Sequence, residues 1–166
     1  DLLAIQLAHL GDFYLGRSLM LRDRIAALRP HWDSDVPGYG YVLGMYAFGL
    51  EEMNEFAEAE NTVRAALAAQ PRDPWAIHAV AHVMEMQGRL DDGVAWYNDR
   101  RDDWARDNMF AVHNWWHLAL YHLDRGENDR VLEIYDTGIR PKPSDVVLEM
   151  LDASALLWRL HLDEVD

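Results

Sequence analysis

Cysteine is absent from the 166 residues, which excludes disulfides and thiolate–metal sites and leaves the redox compartment open. Long apolar runs are missing too, since nothing approaches the ~18 consecutive apolar residues of a membrane span. Positive charge is scarce: 15 Lys and Arg stand against 29 Asp and Glu, for a net charge of −14. A surface of that sign repels phosphate backbones and anionic lipid, so neither nucleic acid nor membrane is expected as a partner. The charges are mixed locally, as in DRRDDWARD (residues 99–107), and not gathered into one acidic tail. They read as a solvated surface; a cationic or amine-bearing partner is the sharper alternative. Two catalytic signatures are also lacking. GYG at residues 38–40 is not followed by the Lys-Ser/Thr of a phosphate loop, and HAVAH has Ala79 where HExxH places its general base. The chain opens on Asp1 and lacks the basic region of a secretory signal. With half its residues hydrophobic, it reads as one soluble, cytoplasmic domain, 1–166, that belongs to a longer protein.

What is present is helix, almost throughout. Apolar residues recur at intervals of three and four, and the punctuation falls where helices end. In QPRDPWAIHAVAHVMEMQGRL, Asp73 can cap, Pro74 suits a first turn, and Gly88 can take the left-handed conformation that closes a helix. The same grammar predicts helix pairs over 1–28, 39–69, 73–104 and 108–138. A terminal helix follows at about 144–162, started by Ser144 after the break at RPKPS, which makes nine helices. Superimposing the breaks at Asn54, Gly88 and Gly126 aligns Ala47, Ala81 and Ala119, where a crossing helix needs a small residue. It also aligns Ala59 with Gly93 and Val131, and Val63 with Tyr97 and Tyr135. The period of 34 to 38 residues and this small/large alternation match the tetratricopeptide repeat, whose unit is about 34 residues. The expected fold is an all-α, right-handed helical-hairpin solenoid of about four pairs plus a C-terminal helix.

YGYVLGMYAFGLEE, DPWAIHAVAHVMEMQGR, DDW, VHNWWHLALYHLDRGE and a late ASALLWRL resemble the tetratricopeptide repeat protein 38 family. The resemblance runs over nearly the whole chain. It implies an all-α repeat fold and members longer than this chain, and it implies no reaction.

Two His-x-x-x-His pairs, HAVAH and HNWWH, lie 35 residues apart. In tetratricopeptide-like arrays the first helix of each pair lines the concave side. Counted from the Gly88 and Gly126 breaks, the inward positions are His78, His82 and Glu85, then His113 and Trp116. In the preceding pair they include Tyr41, Phe48 and Glu51. The register therefore predicts a groove with aromatic walls and histidine and glutamate groups, suited to a small molecule or peptide. His117 falls one position off the inward face but belongs to the same segment, and His122 falls at a core position. Three chemistries fit. Residues i and i+4 share a helix face, so His78 and His82 could chelate an ion with Glu85 and His113. A histidine beside Glu85 or Glu51 could move protons. Neither is preferred: no cofactor is expected, and no cysteine exists to serve as a nucleophile, while Ser18, Ser34, Ser144 and Ser154 lie away from the histidine helices. The preferred reading is a binding or scaffold module. Its partners would be a protein, peptide or small molecule in the groove, with flanking repeats or a second copy on its end face. Carboxylate clamps use Lys and Arg, so a neutral or cationic ligand fits better.

Overall fold

A computed structural model describes residues 1–164; the last two positions of the expected 1–166 domain lie outside the described residues. Those residues are helical and contain no strand. The helices are α1 (Leu2–Tyr14), α2 (Ser18–Leu28), α3 (Tyr39–Glu51), α4 (Phe56–Ala69), α5 (Pro74–Met86), α6 (Leu90–Asp99), α7 (Arg101–Trp104), α8 (Ala111–Asp124), α9 (Asn128–Ile134) and α10 (Val147–Leu162). A 3-10 turn at Arg29–His31 follows α2, and a π-helical turn at Tyr135–Ile139 extends α9. None of these helices is long and apolar enough to cross a membrane. The chain divides into two compact units, Asp1–Val83 and Met84–Asp166, with the boundary inside α5.

Four helix ends share one turn. Gly16, Asn54, Gly88 and Gly126 all have positive φ, between 62° and 70°. In each, the N–H of that residue donates three residues back, and the next N–H donates five residues back. Asn54 reaches the Glu51 carbonyl and Glu55 reaches Leu50; Gly88 reaches Glu85 and Arg89 reaches Met84. The other two turns repeat the pattern, from Gly16 and Arg17 and from Gly126 and Glu127. This double bond satisfies carbonyls that a helix end otherwise leaves without donors, and it needs a left-handed residue at its centre. The following helix begins two residues later every time, at Ser18, Phe56, Leu90 and Asn128. The turns are 38, 34 and 38 residues apart.

The first unit is organised around α3, which packs against α2 and α4. Every residue from Val42 to Glu51 is buried, so this helix is enclosed on all sides, as its nearly uninterrupted apolar sequence requires. Gly49 lets α2 approach: a Cβ there would lie 2.5 Å from the Arg22 amide nitrogen. Ile5, Ile25, Val42, Met45, Tyr46, Leu50, Ala59 and Val83 form its apolar core.

In the second unit α8 is the hub, packing against α6, α9 and α10. Tyr97 and Trp104 are fully buried and meet edge to face, and the Tyr97 hydroxyl donates to Asn114 Oδ1 at 2.9 Å. The aligned small position at Gly93 is occupied from outside by the Tyr121 ring, which a Cβ would strike at 2.1 Å.

Several boundaries differ from the sequence reading. The helix expected to run on to Trp104 breaks at Arg100, giving α6 and α7. Ser144 is not the cap of α10: its hydroxyl accepts from the Val146 N–H and the helix starts at Val147. Asn108 turns the chain by accepting from the Phe110 N–H, so α8 begins at Ala111, three residues into the expected 108–138 pair. In both cases the polar side chain closes a local turn before the helix instead of capping its first residue.

Candidate functional site

In the first unit the sequence-predicted residues Phe48, Glu51, His78 and His82 come together. Phe48 and Glu51 lie on α3, three residues apart; His78 and His82 lie on α5, four apart, so each pair shares one helix face. The two imidazoles are 4.1 Å apart between centroids, and His82 Nδ1 lies 3.4 Å from Glu51 Oε2. Phe48 is only 1% exposed and is enclosed by rings: Trp75 at 5.1 Å, His78 at 5.8 Å, His9 at 5.9 Å and His82 at 6.1 Å. It is packing at the back of the cluster, where an open groove wall was expected. The physical reason is that α3 is buried all round, so its inward face has no solvent to meet. Tyr41 stands two turns earlier on α3 and is 38% exposed. Glu51, Glu52 and His82 each offer a ligand atom, all within 4.8 Å of one another. Burial raises the Glu52 pKa, with the neighbouring Glu51 charge adding to the effect.

Two buried groups beside this cluster are not among the sequence-predicted site residues. His9 is 2% exposed and meets Phe48 and Trp75 edge-on, and neither of its ring nitrogens has a hydrogen-bond partner. Burial lowers its pKa to about 4, against the raising effect of Asp12, so it is neutral in the fold. Asp73, foreseen as a helix cap, accepts from the Trp75 N–H at 3.0 Å. Its burial raises its pKa to about 6, outweighing the lowering effect of the backbone N–H groups it caps. The sequence signal for His9 was available: with Ile5 it shares the buried stripe of α1.

In the second unit Glu85, His113, Trp116 and His117 come together, with one residue added. The four polar groups form a line. Glu85 Oε2 faces His117 Nδ1 at 3.1 Å, His117 Nε2 faces His113 Nε2 at 3.3 Å, and His113 Nδ1 faces both Asp152 carboxylate oxygens at 3.1 Å. His117 is 4% exposed and Asp152, at one end of the line, 6%, so both are well removed from solvent. Trp116 covers it, lying nearly parallel to the His113 ring (12°, 5.6 Å) and edge-on to His117 (4.8 Å). The Arg159 guanidinium stands over the outer indole face at 5.6 Å. Asp152 was not among the predicted residues. Its signal is a charged group on the stripe that α10 buries, in register with Ala153, Leu156 and Leu160. His122, placed at a core position by its register, is buried with Nδ1 against Glu127 Oε2, apart from this line.

The two clusters differ in what they can do. The first sets His82 against Glu51, with Glu52 close by, inside an aromatic enclosure. The second offers two imidazoles, each with a carboxylate behind its Nδ1 and its Nε2 turned to the other ring. That geometry suits either a shared proton or a shared cation. Compared with known proteins, the chain matches no family model, and no solved structure matches it.

Proposed function

We propose that the chain is a tetratricopeptide-like helical-repeat module whose His- and aromatic-lined groove binds a neutral or cationic small molecule or peptide. The resemblance of its histidine segments to the tetratricopeptide repeat protein 38 family supports the repeat reading. So do the four identical helix-ending turns, 34 to 38 residues apart. The observation that carries the binding reading is the pairing of imidazole with carboxylate on the helices that lead the pairs: His82 with Glu51, His117 with Glu85, and His113 with Asp152 from α10. A carboxylate-terminated ligand would want Lys or Arg there; the one lysine of the sequence is Lys142, in the RPKPS break, and Arg159 is engaged on the Trp116 indole. Carboxylates held in a low-dielectric setting recruit positive charge or hydrogen-bond donors.

Native mass spectrometry of tag-free protein tests this reading. A copurifying small molecule or peptide is expected, its occupancy falling in Glu51→Gln while the melting temperature stays within about 3 °C, the scale of a sub-kcal change. A protein that carries no such ligand from several expression hosts, or an occupancy indifferent to Glu51, would remove the reading. A second reading, acid/base or metal-assisted chemistry by the same side chains, is favoured by one observation: the unbroken Glu85–His117–His113–Asp152 line.

A further inference from the structure

We infer that His113 and His117 are two ligands of one tetrahedral divalent transition-metal ion of the zinc class, bound through their Nε2 atoms and oriented by Asp152 and Glu85. The claim is one of binding and names no reaction. It takes up the metal half of the second reading and stands or falls separately from the groove ligand, which is read on Glu51.

The argument begins with protons. An ionised carboxylate only accepts, so the imidazole nitrogen facing it carries the hydrogen. Asp152 therefore places a proton on His113 Nδ1, and Glu85 places one on His117 Nδ1. A neutral imidazole has one N–H, so each Nε2 is left with a lone pair. The geometry then brings two lone pairs face to face at 3.3 Å. Something positive between them turns that repulsion into attraction.

Distance selects the ion class. Zinc–nitrogen bonds of about 2.0–2.1 Å at a tetrahedral angle separate two ligand nitrogens by about 3.3–3.4 Å. The observed 3.3 Å is that edge. His113 and His117 are four residues apart on α8, so the helix itself holds both rings on one face.

Charge points the same way. Two carboxylates flanking two neutral imidazoles leave the line with two negative charges, and Asp152 and His117 are nearly excluded from water. One proton would neutralise half of that charge; one divalent ion neutralises all of it. Carboxylates that hold the outer nitrogen of a histidine ligand fix its tautomer and raise its basicity, the usual outer shell of a protein zinc site. Trp116 lies over both rings and shields them. The remaining coordination positions are left to water or to further donors.

The test uses the tag-free chain, stripped with a chelator and titrated with zinc chloride alone against a chromophoric competitor. One equivalent should bind with a dissociation constant below about 1 μM, as a preformed nitrogen site allows. His113→Gln and His117→Gln should each weaken it at least about 100-fold, and Asp152→Asn about 10- to 100-fold. His31→Gln, in the exposed 3-10 turn, controls for stray imidazole binding and should leave the stoichiometry unchanged. Cobalt(II) in place of zinc should give the intense visible bands of a four-coordinate ion, and Asp152→Asn should shift them. Should a glutamine variant fail to fold by circular dichroism, the cobalt spectrum of Asp152→Asn decides in its place. Zinc binding weaker than about 10 μM, binding indifferent to His113 and His117, or a six-coordinate cobalt spectrum would each overturn the site. The 3.3 Å contact would then be the N–H···N bond of a singly protonated pair.

Discussion

HAVAH and HNWWH have the same spacing and opposite surroundings. In both, two histidines stand four residues apart on one helix face, with ring centroids 4.1 and 4.8 Å apart. Around the first pair the neighbours are rings, Phe48 and Trp75 beside His78 and Phe48 again beside His82, and the Glu51 carboxylate lies against His82 with Glu52 close by. Around the second pair each imidazole has its own carboxylate, and the two rings stand at 89° with their Nε2 atoms facing. Spacing decides that two imidazoles meet. What they can hold is decided by the helices that happen to be packed against them.

The largest effect should come from breaking the aromatic side of this comparison. Phe48→Ala removes a ring that is 1% exposed and meets the rings of His9, Phe13, Trp75, His78 and His82, leaving a cavity that α3, enclosed on all sides, cannot close. A loss of about 3–5 kcal/mol is expected in urea denaturation, the usual cost of truncating a buried Phe. Trp116→Ala, over the second pair, removes a ring that is only partly buried and should cost less than half as much. Equal losses would mean that the two clusters are packed alike after all.

Next in size is a pair of opposed proton equilibria confined to the first unit. Burial lowers the His9 pKa to about 4 from 6.5. Between those values the unfolded chain binds the proton that the fold refuses, so stability rises with pH through that window. Burial raises the Asp73 pKa to about 6 from 3.8. There the fold holds the extra proton, so stability falls as pH rises across nearly the same window. Each contributes about 3 kcal/mol at most, at roughly 1.4 kcal/mol per unit, and the two nearly cancel. Wild-type stability between pH 4 and 6.5 should therefore be close to flat in these terms. His9→Gln should uncover a fall with rising pH, and Asp73→Asn a rise. Urea midpoints at four pH values check the signs; parallel curves for both variants and the wild type would show that burial shifts neither group.

How much of this could be seen in advance follows a physical line. The helix-ending turns were legible because a left-handed residue is a local demand, met by Gly or Asn whatever surrounds it. Gly88 and Gly126 announced themselves, and so did Asn54. The meeting of His78 with His82 was legible for the same reason, since a helix fixes it. Asp152 on His113 was not: it belongs to a helix 39 residues further on, and only tertiary packing brings it there. The register that set His117 off the inward face counted positions from Gly126 and could not register that Glu85 would receive its Nδ1. Phe48 was placed on the right face, but that α3 is surrounded on every side is a property of its neighbours. The local turns were readable, and the partners of buried polar groups were not.

The smallest effect tests the four turns against each other. Three of them use glycine and one uses Asn54, at φ 62°, where a side chain costs energy that Gly does not incur. Asn54→Gly should therefore stabilise the first unit by up to about 1 kcal/mol, provided the added freedom of the unfolded chain does not consume the gain. Gly88→Ala should do the reverse: its φ is 66° and its surroundings are open, so the cost is backbone strain of about 1 kcal/mol without any clash. Gly93→Ala separates strain from crowding. That residue is helical, with φ in the ordinary range, and a Cβ there meets the Tyr121 ring at 2.1 Å, so its cost of about 1–3 kcal/mol is purely steric. Trimming Tyr121 to Leu should recover part of the Gly93→Ala loss and none of the Gly88→Ala loss. If the same trimming rescued both, the left-handed turn would not be what Gly88 is there to make.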